Sequence, residues 1–491
     1  MISLDRQASG YYQSMSLLQF NWTTARAVLL GLTLLTALAM LSTQPQGPFD
    51  ARTYQLAGDV ELQFPWQGAW LEPFAAPAHA LAGEPDVHVA VVSTGLWIIG
   101  MAALWRTRRE WRSGRRLSGA GLGAVGKTVL WALSAFLLYL TFVLLIPLPS
   151  WQLRPTSPDR VIADLHTHSY LSHDGLVSPE ENLRLHLDRG FDVVAVTEHN
   201  YSVAAHDALW ISRQHPDLPA VLPGMEAHAP DDRGFLLAVG WQPYSARWVD
   251  HWQWHSSKQP VIAMAWRLSA ADVHHLAAEG VDGFEIANAG HPNEPQEVRA
   301  AILAESQQRG LVMLAASDWH GWGGLWRTWN VVHIAGADQM SHEQRAQAVL
   351  AALQERRGVD IQPVVAGYMG PPSWWQTLFA PVSAVVRYAQ ELSPVRVAAW
   401  WLWAIVWWGT AALLRRLRVN PYRALAVAVG GVLGVIVLWR GIQLLATRPA
   451  GFAGYHMSLI VGGWGVVLGA AVLLVIGLWL LRREGWSSPV A

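Results

Sequence analysis

Residues 161–200 have the sequence VIADLHTHSYLSHDGLVSPEENLRLHLDRGFDVVAVTEHN, in which two short apolar runs flank a helical segment. The first run, VIADL, is followed by the HTH tripeptide His166–His168, and the second, VVAV, by the TEH tripeptide Thr197–His199. Short apolar runs bounded by polar residues are typical of buried strands. The pattern therefore predicts two strands, each followed by imidazole side chains.

The segment between these runs has clear helix boundaries. Ser178 can cap the helix, Pro179 suits its first turn, Glu181 can complete a capping box, and Gly190 can end the helix. The result is a strand–helix–strand unit with imidazoles at the same end of both strands. Because ligands and metals gather at the carboxyl ends of parallel strands, we expect a metal site there.

Composition narrows the class of protein. The chain has 491 residues, of which only 14% are charged, and its mean hydropathy is +0.20, as in membrane proteins. It has no cysteine, which excludes disulfides and thiolate metal sites. A net charge of −1 gives no reason to expect nucleic-acid binding. Nineteen histidines are present, and only His79, His88 and His456 lie outside residues 160–360.

Six apolar runs are close to the ~20 residues that cross a bilayer core. They are Ala25–Ser42, Val87–Trp105, Thr128–Pro149, Val397–Leu414, Ala424–Ala446 and Met457–Leu481. The first is short, but residues 1–24 lack a signal-peptide cleavage pattern, so we expect it to be a retained anchor. The fifth contains Arg440, which lies near the end of the run. We predict three spans on each side of a central domain.

Basic residues set the orientation of these spans. Seven lie between Arg106 and Lys127, four between Arg415 and Arg423, and two at Arg482 and Arg483, whereas the loop after the first span has only Arg52. This distribution predicts both termini in the cytoplasm and residues 150–390 outside it. For a bacterial chain, this is a multi-pass protein of the inner (cytoplasmic) membrane.

The central block alternates short apolar runs with helical patterns, which favours a parallel β/α fold. The predicted strands are Ala220–Leu222, Phe235–Val239, Val261–Ala265, Gly283–Ile286, Leu311–Ala316 and Val331–Ile334, and the predicted helices are Ala270–Glu279, Pro295–Gln308 and His342–Arg357. We divide the chain into a membrane region at 1–150, this domain at 151–366, a linker region at 367–393 and a second membrane region at 394–491.

The linker region begins within the Pro- and Gly-rich segment Pro363–Ser373. Beyond it, residues 374–391 place apolar side chains on one helical face. Such a helix lies flat in the membrane interface or packs on the domain, and the sequence does not decide between the two.

Further imidazoles and carboxylates follow the predicted strands in order along the chain. His173 and Asp174 follow the first strand, Glu226 follows a third, and Asp318 and His320 follow the run Leu311–Ala316. Mixed imidazole and carboxylate ligands suit Zn²⁺, Mn²⁺ or Fe, and such clusters hold two ions for hydrolysis.

These motifs, HTHS at 166–169, SHDG at 172–175, TEHN at 197–200, PGME at 223–226 and SDWH at 317–320, resemble the ordered motifs of the PHP (polymerase and histidinol phosphatase) family. The resemblance covers about residues 160–366. It implies a distorted (β/α)7 barrel with two or three divalent ions that hydrolyses phosphoesters. The implied metal ligands are His166, His168, Asp174, His199, Glu226, Asp318 and His320, with His173 as the alternative to Asp174.

Two ligand positions of that family are replaced here. Phe235 stands before the run 236–240 where the family has a histidine, and a second histidine is missing in the segment Ala263–Arg267. His228 is a candidate replacement, and the loss of one ion with retention of two is the simplest interpretation. Arg267 is a candidate contact for a substrate phosphate, and Glu198 a candidate partner of a ligand.

The sequence supports three hypotheses. The first is a membrane-anchored, metal-dependent phosphoesterase that uses metal-activated water, with Asp318, His320 and Arg267 as catalytic candidates. Its substrate would be a phosphorylated small molecule, lipid or glycopolymer. The second is a degenerate PHP-like domain that acts as a sensor or scaffold. The third, a transporter with an added domain, is disfavoured because the spans contain hardly any acids or histidines.

Overall fold

The computed structural model describes residues 22–42, 47–112, 119–229, 232–241, 243, 259–292, 294–323, 327–369, 371–417, 419–447 and 457–481. Within these residues, one curled ten-stranded sheet and its helices form an α/β domain, to which long apolar helices are joined.

The strands are β1 (Phe49–Asp50), β2 (Val60–Gln63), β3 (Gln152–Pro155), β4 (Arg160–Thr167), β5 (Val193–Val196), β6 (Ala220–His228), β7 (Phe235–Val239), β8 (Val261–Ala263), β9 (Gly283–Asn288), β10 (Val312–Ala316), β11 (Thr328–His333) and β12 (Ile361–Val365). The helices are α1 (Trp22–Leu41), α2 (Glu72–Ala82), α3 (Val87–Arg112), α4 (Gly119–Leu145), α5 (Pro179–Asp188), α6 (Val203–Gln214), α7 (Ala270–Glu279), α8 (Gln296–Arg309), α9 (His342–Gln354), α10 (Trp374–Gln390), α11 (Pro394–Arg416), α12 (Pro421–Ala446) and α13 (Met457–Leu481).

The main sheet has the strand order β1-β12-β11-β4-β5-β6-β7-β8-β9-β10, and β2 pairs with β3 in a separate ribbon. Neighbours are parallel from β4 to β6 and from β8 to β10, but β7 is antiparallel to both of its neighbours. The sheet is therefore mixed, not fully parallel as the alternation predicted. The β6–β7 connection is too short for a parallel crossover, which needs a dozen or more residues.

The far end of the sheet curls back so that the ends of β10 and β4 meet. Beyond β10, the Asp318 N–H donates to the His166 carbonyl at 3.0 Å, and the His168 N–H donates to the Trp319 carbonyl at 2.8 Å. The Asn330 side chain also bonds both backbone groups of Ala315, at 2.9 and 2.7 Å. The HTH and SDWH motifs therefore lie side by side. The precise (β/α)7 barrel remains a prediction, because the hydrogen-bonded sheet has ten strands.

Several elements extend or add to the predicted ones. Strand β6 continues to His228, six residues beyond the predicted end, and β12 ends within the Pro- and Gly-rich segment interpreted as linker. Strand β12 was not predicted because it contains Pro363, and a proline usually argues against a strand assignment. Helix α6 and the strands β1 and β3 were not predicted. Strand β1 pairs with β12, so the region before residue 150 contributes to the sheet.

Among the described residues, five helices are long and apolar enough to cross a membrane: α3, α4, α11, α12 and α13. They correspond to the second to sixth predicted spans. The first predicted span lies in α1, whose apolar part, Arg26–Leu41, is shorter.

Helix α10 has one buried and one exposed face, and its position at a membrane interface stays a prediction. One face buries Ala380, Ala384 and Tyr388 in a cluster with α2 and α3, whereas Trp375 and Val382 on the other face are exposed.

Candidate metal centre

The motifs meet at one edge of the sheet. His166 lies in β4 and His168 directly after it, Glu226 lies in β6, and the other residues follow strands: Asp174, His199, Asp318 and His320. Among the described residues, the groups that could hold an ion are His166, His168, Glu226 and Asp318; His168, His199 and His320; and His173, Asp174 and His199. All seven predicted ligands are thus brought together.

The inner group is completely buried. Nε2 of His166 lies 2.9 Å from Nε2 of His168 and 3.0 Å from Oε2 of Glu226. Oδ1 of Asp318 lies 3.4 Å from Nε2 of His166 and 3.3 Å from Nε2 of His168. Two imidazole nitrogens and two carboxylate oxygens therefore converge on one point.

The outer group lies closer to the surface. Nε2 of His199 and Nε2 of His320 are 3.2 Å apart, and Oδ1 of Asp174 lies 3.4 and 3.3 Å from them. His173 places Nε2 3.8 Å from Oδ2 of Asp174, and its side chain is 52% exposed. The carboxylate of Asp174, and not His173, therefore lies between the two imidazoles.

Glu226 connects the two groups. Its Oε2 is 3.0 Å from His166 and 3.3 Å from His168, whereas its Oε1 is 3.4 Å from Nδ1 of His199. One carboxylate thus contacts imidazoles of both groups, and on His199 it meets Nδ1, while Nε2 of the same ring faces His320 and Asp174.

The donor set fits divalent ions. Imidazole nitrogen and carboxylate oxygen are ligands for Zn²⁺, Mn²⁺ and Fe, and no thiolate is required. Oδ1 of Asp174 is buried and has no hydrogen-bond partner, although it is directed between two imidazoles. A buried carboxylate oxygen without a partner is costly, and a cation at this position would remove that cost.

The charges in the metal-free protein are strongly coupled. Burial alone would lower the pKa of His166, but the carboxylates of Asp318 and Glu285 raise it well above its usual value. The pKa of His199 is likewise raised against the effect of burial, chiefly by Glu226. Burial would raise the pKa of Glu226, yet His199 and His166 hold it well below its usual range. Protons on imidazoles therefore balance the carboxylates.

Glu285 is a site residue that sequence reasoning missed. It is completely buried in β9, and its Oε1 lies 2.6 Å from Nδ1 of His166. Asn288 donates to Glu285 at 2.9 Å and to Asp318 at 3.3 Å. A carboxylate on Nδ1 fixes the imidazole so that Nε2 faces the ion. The sequence signal that could have identified Glu285 is a single charged residue inside a strand of otherwise uncharged, buried residues.

Glu198 lies outside the ligand groups and supports them. Its carboxylate accepts hydrogen bonds from the Ser169 N–H at 2.8 Å and from the Ser172 hydroxyl at 2.6 Å. The same hydroxyl lies 2.9 Å from Nδ1 of His168. The TEH motif therefore supplies one ligand candidate, His199, and one residue that positions His168 through Ser172.

Local backbone geometry explains two of the motif residues. Gly175 ends the SHDG motif because a Cβ there would lie 1.8 Å from the Ser169 carbonyl oxygen. Asp318 has a positive φ of 50°, an uncommon conformation outside glycine that is often found at functional sites.

Phe235 stands at one position where the PHP resemblance lacks a histidine, and Trp266 lies in the segment 263–267 that lacks the other. The rings of Phe235 and Trp266 stack with centroids 5.2 Å apart, and His291 stacks on Trp266 at 4.3 Å. His228 lies against Phe235 and pairs with Asp232, 2.9 Å away, and it joins none of the ligand groups found among the described residues.

Arg267 and His291 lie at the rim of the centre. Arg267 is exposed, and its guanidinium lies 4.1 Å from the centroid of Trp266. His291, which has no motif around it, places Nε2 3.6 Å from Oδ2 of Asp318. Two further histidines of the central block, His251 and His255, lie outside the described residues.

No protein-family model and no curated protein matches this chain. One similar solved structure is a candidate metal-dependent phosphoesterase from Bifidobacterium adolescentis, with 16% identity, 32% of this chain and 87% of that chain covered, and a TM-score of 0.27. A second is an amidohydrolase from Chromobacterium violaceum with bound sulfate and no metal, with 13% identity, 32% of this chain and 87% of that chain covered, and a TM-score of 0.27. Another is a two-domain protein from Bacteroides vulgatus that contains a predicted PHP-like metal-dependent phosphoesterase, with 16% identity, 45% of this chain and 68% of that chain covered, and a TM-score of 0.32.

Proposed function

We propose that this protein is a membrane-anchored, metal-dependent phosphoesterase with two divalent ions, of Zn, Mn or Fe. The observation that carries this proposal is Glu226, which presents one oxygen to His166 and His168 and the other to His199. Bound ions would activate water and polarise the phosphoryl oxygens of the ester.

The surrounding residues have distinct roles in this proposal. Asp318 lies between the imidazoles of the inner group and is the candidate acceptor of the proton that the attacking water loses. His320 and Asp174 position the outer side of the centre. Arg267, exposed at the rim, is the candidate for a bidentate contact with the substrate phosphate.

The distribution of basic residues supports a bacterial cytoplasmic membrane location with both termini in the cytoplasm. The end of α4, Arg440 near the end of α12 and the start of α13 all contact the α/β domain, so we expect the domain on the same side of the membrane as these helix ends. The substrate would therefore be an extracytoplasmic phosphoester. The lipid bilayer would be the permanent environment of the apolar helices. Nucleic acid is not an expected partner, since the net charge is −1.

The test is metal content and turnover of the full chain in detergent or nanodiscs. Elemental mass spectrometry would count the ions, and aryl phosphate mono- and diesters would report turnover with added Mn²⁺ or Zn²⁺. Asp318→Asn should abolish turnover, whereas Asp338→Asn, an exposed aspartate beyond β11 at the opposite end of the sheet, should not. Metal-loaded protein without turnover on either ester would contradict the proposal.

A second candidate is a domain that binds metal or ligand without hydrolysis and acts as a sensor or scaffold. The replaced ligand positions favour it, because Phe235 stands at one of them and stacks on Trp266, which lies in the segment 263–267 that lacks the other histidine. The same measurement separates the candidates, since this one predicts bound metal and no turnover.

A further inference from the structure

The loop that carries Asp174 is attached to the start of α13. The Met457 N–H, at the first residue of that apolar helix, donates to the His173 carbonyl at 3.1 Å. Nε1 of Trp322 donates to the Asp174 carbonyl at 2.9 Å, which ties this loop to the one that follows His320. The outer side of the centre is therefore next to the first turn of a candidate membrane helix.

The second loop is attached to the end of α4. The Gly323 N–H, three residues after His320, donates to the Leu144 carbonyl at 2.7 Å. Leu144 is the penultimate residue of α4, another helix that is long and apolar enough to cross a membrane. Two of the three segments that supply the outer group, those of Asp174 and His320, thus contact helix ends directly.

A third apolar helix, α12, contacts the α/β domain through an ion pair. Arg440 of α12 pairs with Glu181 in the first turn of α5, and its Nε donates to the Leu145 carbonyl at 3.1 Å. The Arg440 side chain is only 11% exposed. An arginine near the end of an apolar helix needs a polar partner, and here that partner belongs to the domain.

Apolar side chains fill the space between the loops and the helices. Leu176, Val177 and Trp319, which lie beside the ligand candidates, belong to one buried cluster with residues of α4 and α12: Phe142, Leu145, Val437 and Leu444. The metal centre is thus packed directly on the helix ends and is not held away from them by a linker.

One accessible side of the centre adjoins these helices. Exposure of the side chains rises from 1% at His166 to 14% at His199, 16% at His320 and 35% at Asp174. Asp174 follows His173, whose carbonyl contacts Met457. Because apolar spans end at the bilayer surface, this opening lies at the level of the lipid head groups.

We infer that the substrate is a membrane lipid that carries a phosphoester in its head group and is hydrolysed while its chains remain in the bilayer. This inference rests on the proposed function and names its substrate class. The water oxygen forms a new bond to phosphorus as the bond to the leaving oxygen breaks. One proton of the water passes to the leaving oxygen, and no oxidant or reductant is needed.

The test uses the full chain in nanodiscs that contain phosphatidic acid, phosphatidylglycerol, phosphatidylethanolamine and a polyprenyl monophosphate, with Mn²⁺ or Zn²⁺ added. Lipid products are followed by mass spectrometry, and a water-soluble aryl phosphodiester and monoester are assayed in parallel. We expect loss of at least one lipid in the wild-type protein and none in Asp318→Asn.

The two ester arms separate failure of the inference from failure of the proposed function. Hydrolysis of an aryl ester with all four lipids intact would overturn the lipid inference alone. Absence of both activities in metal-loaded protein would overturn the proposed function, and the inference with it.

Arg440→Leu and the milder Glu181→Gln provide a second test, because neither residue is a ligand candidate. Loss of this ion pair should loosen the domain on the helix ends, so lipid hydrolysis should fall by about tenfold while aryl ester hydrolysis is retained. Arg213→Leu, at an exposed ion pair with Glu343, is the matched control. Equal rates of lipid hydrolysis in all variants, or equal loss of both activities, would contradict the inference.

Discussion

Oε1 of Glu285 lies 2.6 Å from Nδ1 of His166, and both side chains are buried. The other nitrogen of the same imidazole lies 3.0 Å from Glu226. His166 is therefore held between a carboxylate that orients it and a carboxylate of the candidate metal centre, which is the carboxylate–histidine–metal arrangement of many metalloenzymes.

The first prediction follows from this pair. Glu285→Gln removes the charge that orients His166 while keeping the volume of the side chain, so metal affinity should fall by about 10- to 100-fold. Calorimetric titration of the metal-stripped full chain measures it. Glu343→Gln, at an exposed glutamate of α9, is the control and should leave affinity unchanged. Equal affinities in both variants would show that Glu285 does not support the centre.

The second prediction concerns pH. In the metal-free protein, Asp318 and Glu285 raise the pKa of His166 and Glu226 raises that of His199, although burial opposes both shifts. These imidazoles therefore keep their protons to higher pH than free histidine, and an incoming ion must displace them. As pH rises, competition from protons decreases, so metal affinity should increase from about pH 6 to about pH 8.

Proton release can be measured directly, by titrating the metal in buffers that differ in ionisation enthalpy. Release should be larger at the lower pH, where more imidazole is protonated before binding. An affinity that does not change over this range would contradict the proton balance described for His166 and His199.

The candidate centre could be predicted largely from sequence because its residues follow strand ends in short motifs. His166 and His168 are two residues apart in a strand and so share a face. Glu285 could not be found this way, since it stands alone in the strand Gly283–Asn288 without a recognisable motif. His291 likewise lies near Asp318 through contacts that depend on the folded chain, namely its stacking on Trp266 and the hydrogen bond of its backbone N–H to Oδ1 of Asn288.

The fold was predictable where local patterns decide it. Ser178 caps α5 as expected, accepting from the Glu181 N–H at 3.2 Å. The Glu181 carboxylate, predicted to complete the capping box, instead pairs with Arg440, 259 residues away, because that cation needs a partner. Pairing of β1 with β12 also escaped prediction, since a strand of two residues has no periodicity.

The third prediction contrasts a buried ion pair with an exposed one. Arg396 at the start of α11 donates to Glu72 of α2 at 2.7 Å, and their side chains are 1% and 0% exposed. Burial would raise the pKa of Glu72, but hydrogen bonds from His79 and Arg396 lower it to about 2. Arg396→Met would leave a buried carboxylate without its cation, at a cost of about 3–5 kcal/mol.

The matched control is Arg213→Met, because the exposed pair of Arg213 with Glu343 is worth about 0–1 kcal/mol. Thermal unfolding of the full chain in one detergent should show a clearly lower midpoint for Arg396→Met and a nearly unchanged one for the control. Similar midpoints for the two variants would mean that the buried pair does not stabilise the packing of α2 on α11.

The fourth prediction tests whether the two ligand groups hold separate ions. A Cβ at Gly175 would lie 1.8 Å from the Ser169 carbonyl oxygen, so Gly175→Ala must displace the loop that carries Asp174. His166, His168, Glu226 and Asp318 lie on β4, on β6 and after β10, and this loop contributes none of them. The variant should therefore lose the outer ion and keep the inner one.

Elemental mass spectrometry of Gly175→Ala should show about half the metal content of the wild-type chain if the centre is binuclear. Gly58→Ala is the control, because a Cβ there meets no atom within 4 Å. Complete loss of metal would mean that both groups form a single site, since His168 and His199 are each shared between groups. Unchanged content would mean that Asp174 is not a ligand. Aryl ester turnover should fall in Gly175→Ala but not in Gly58→Ala, because activation of water and leaving group needs both ions in place.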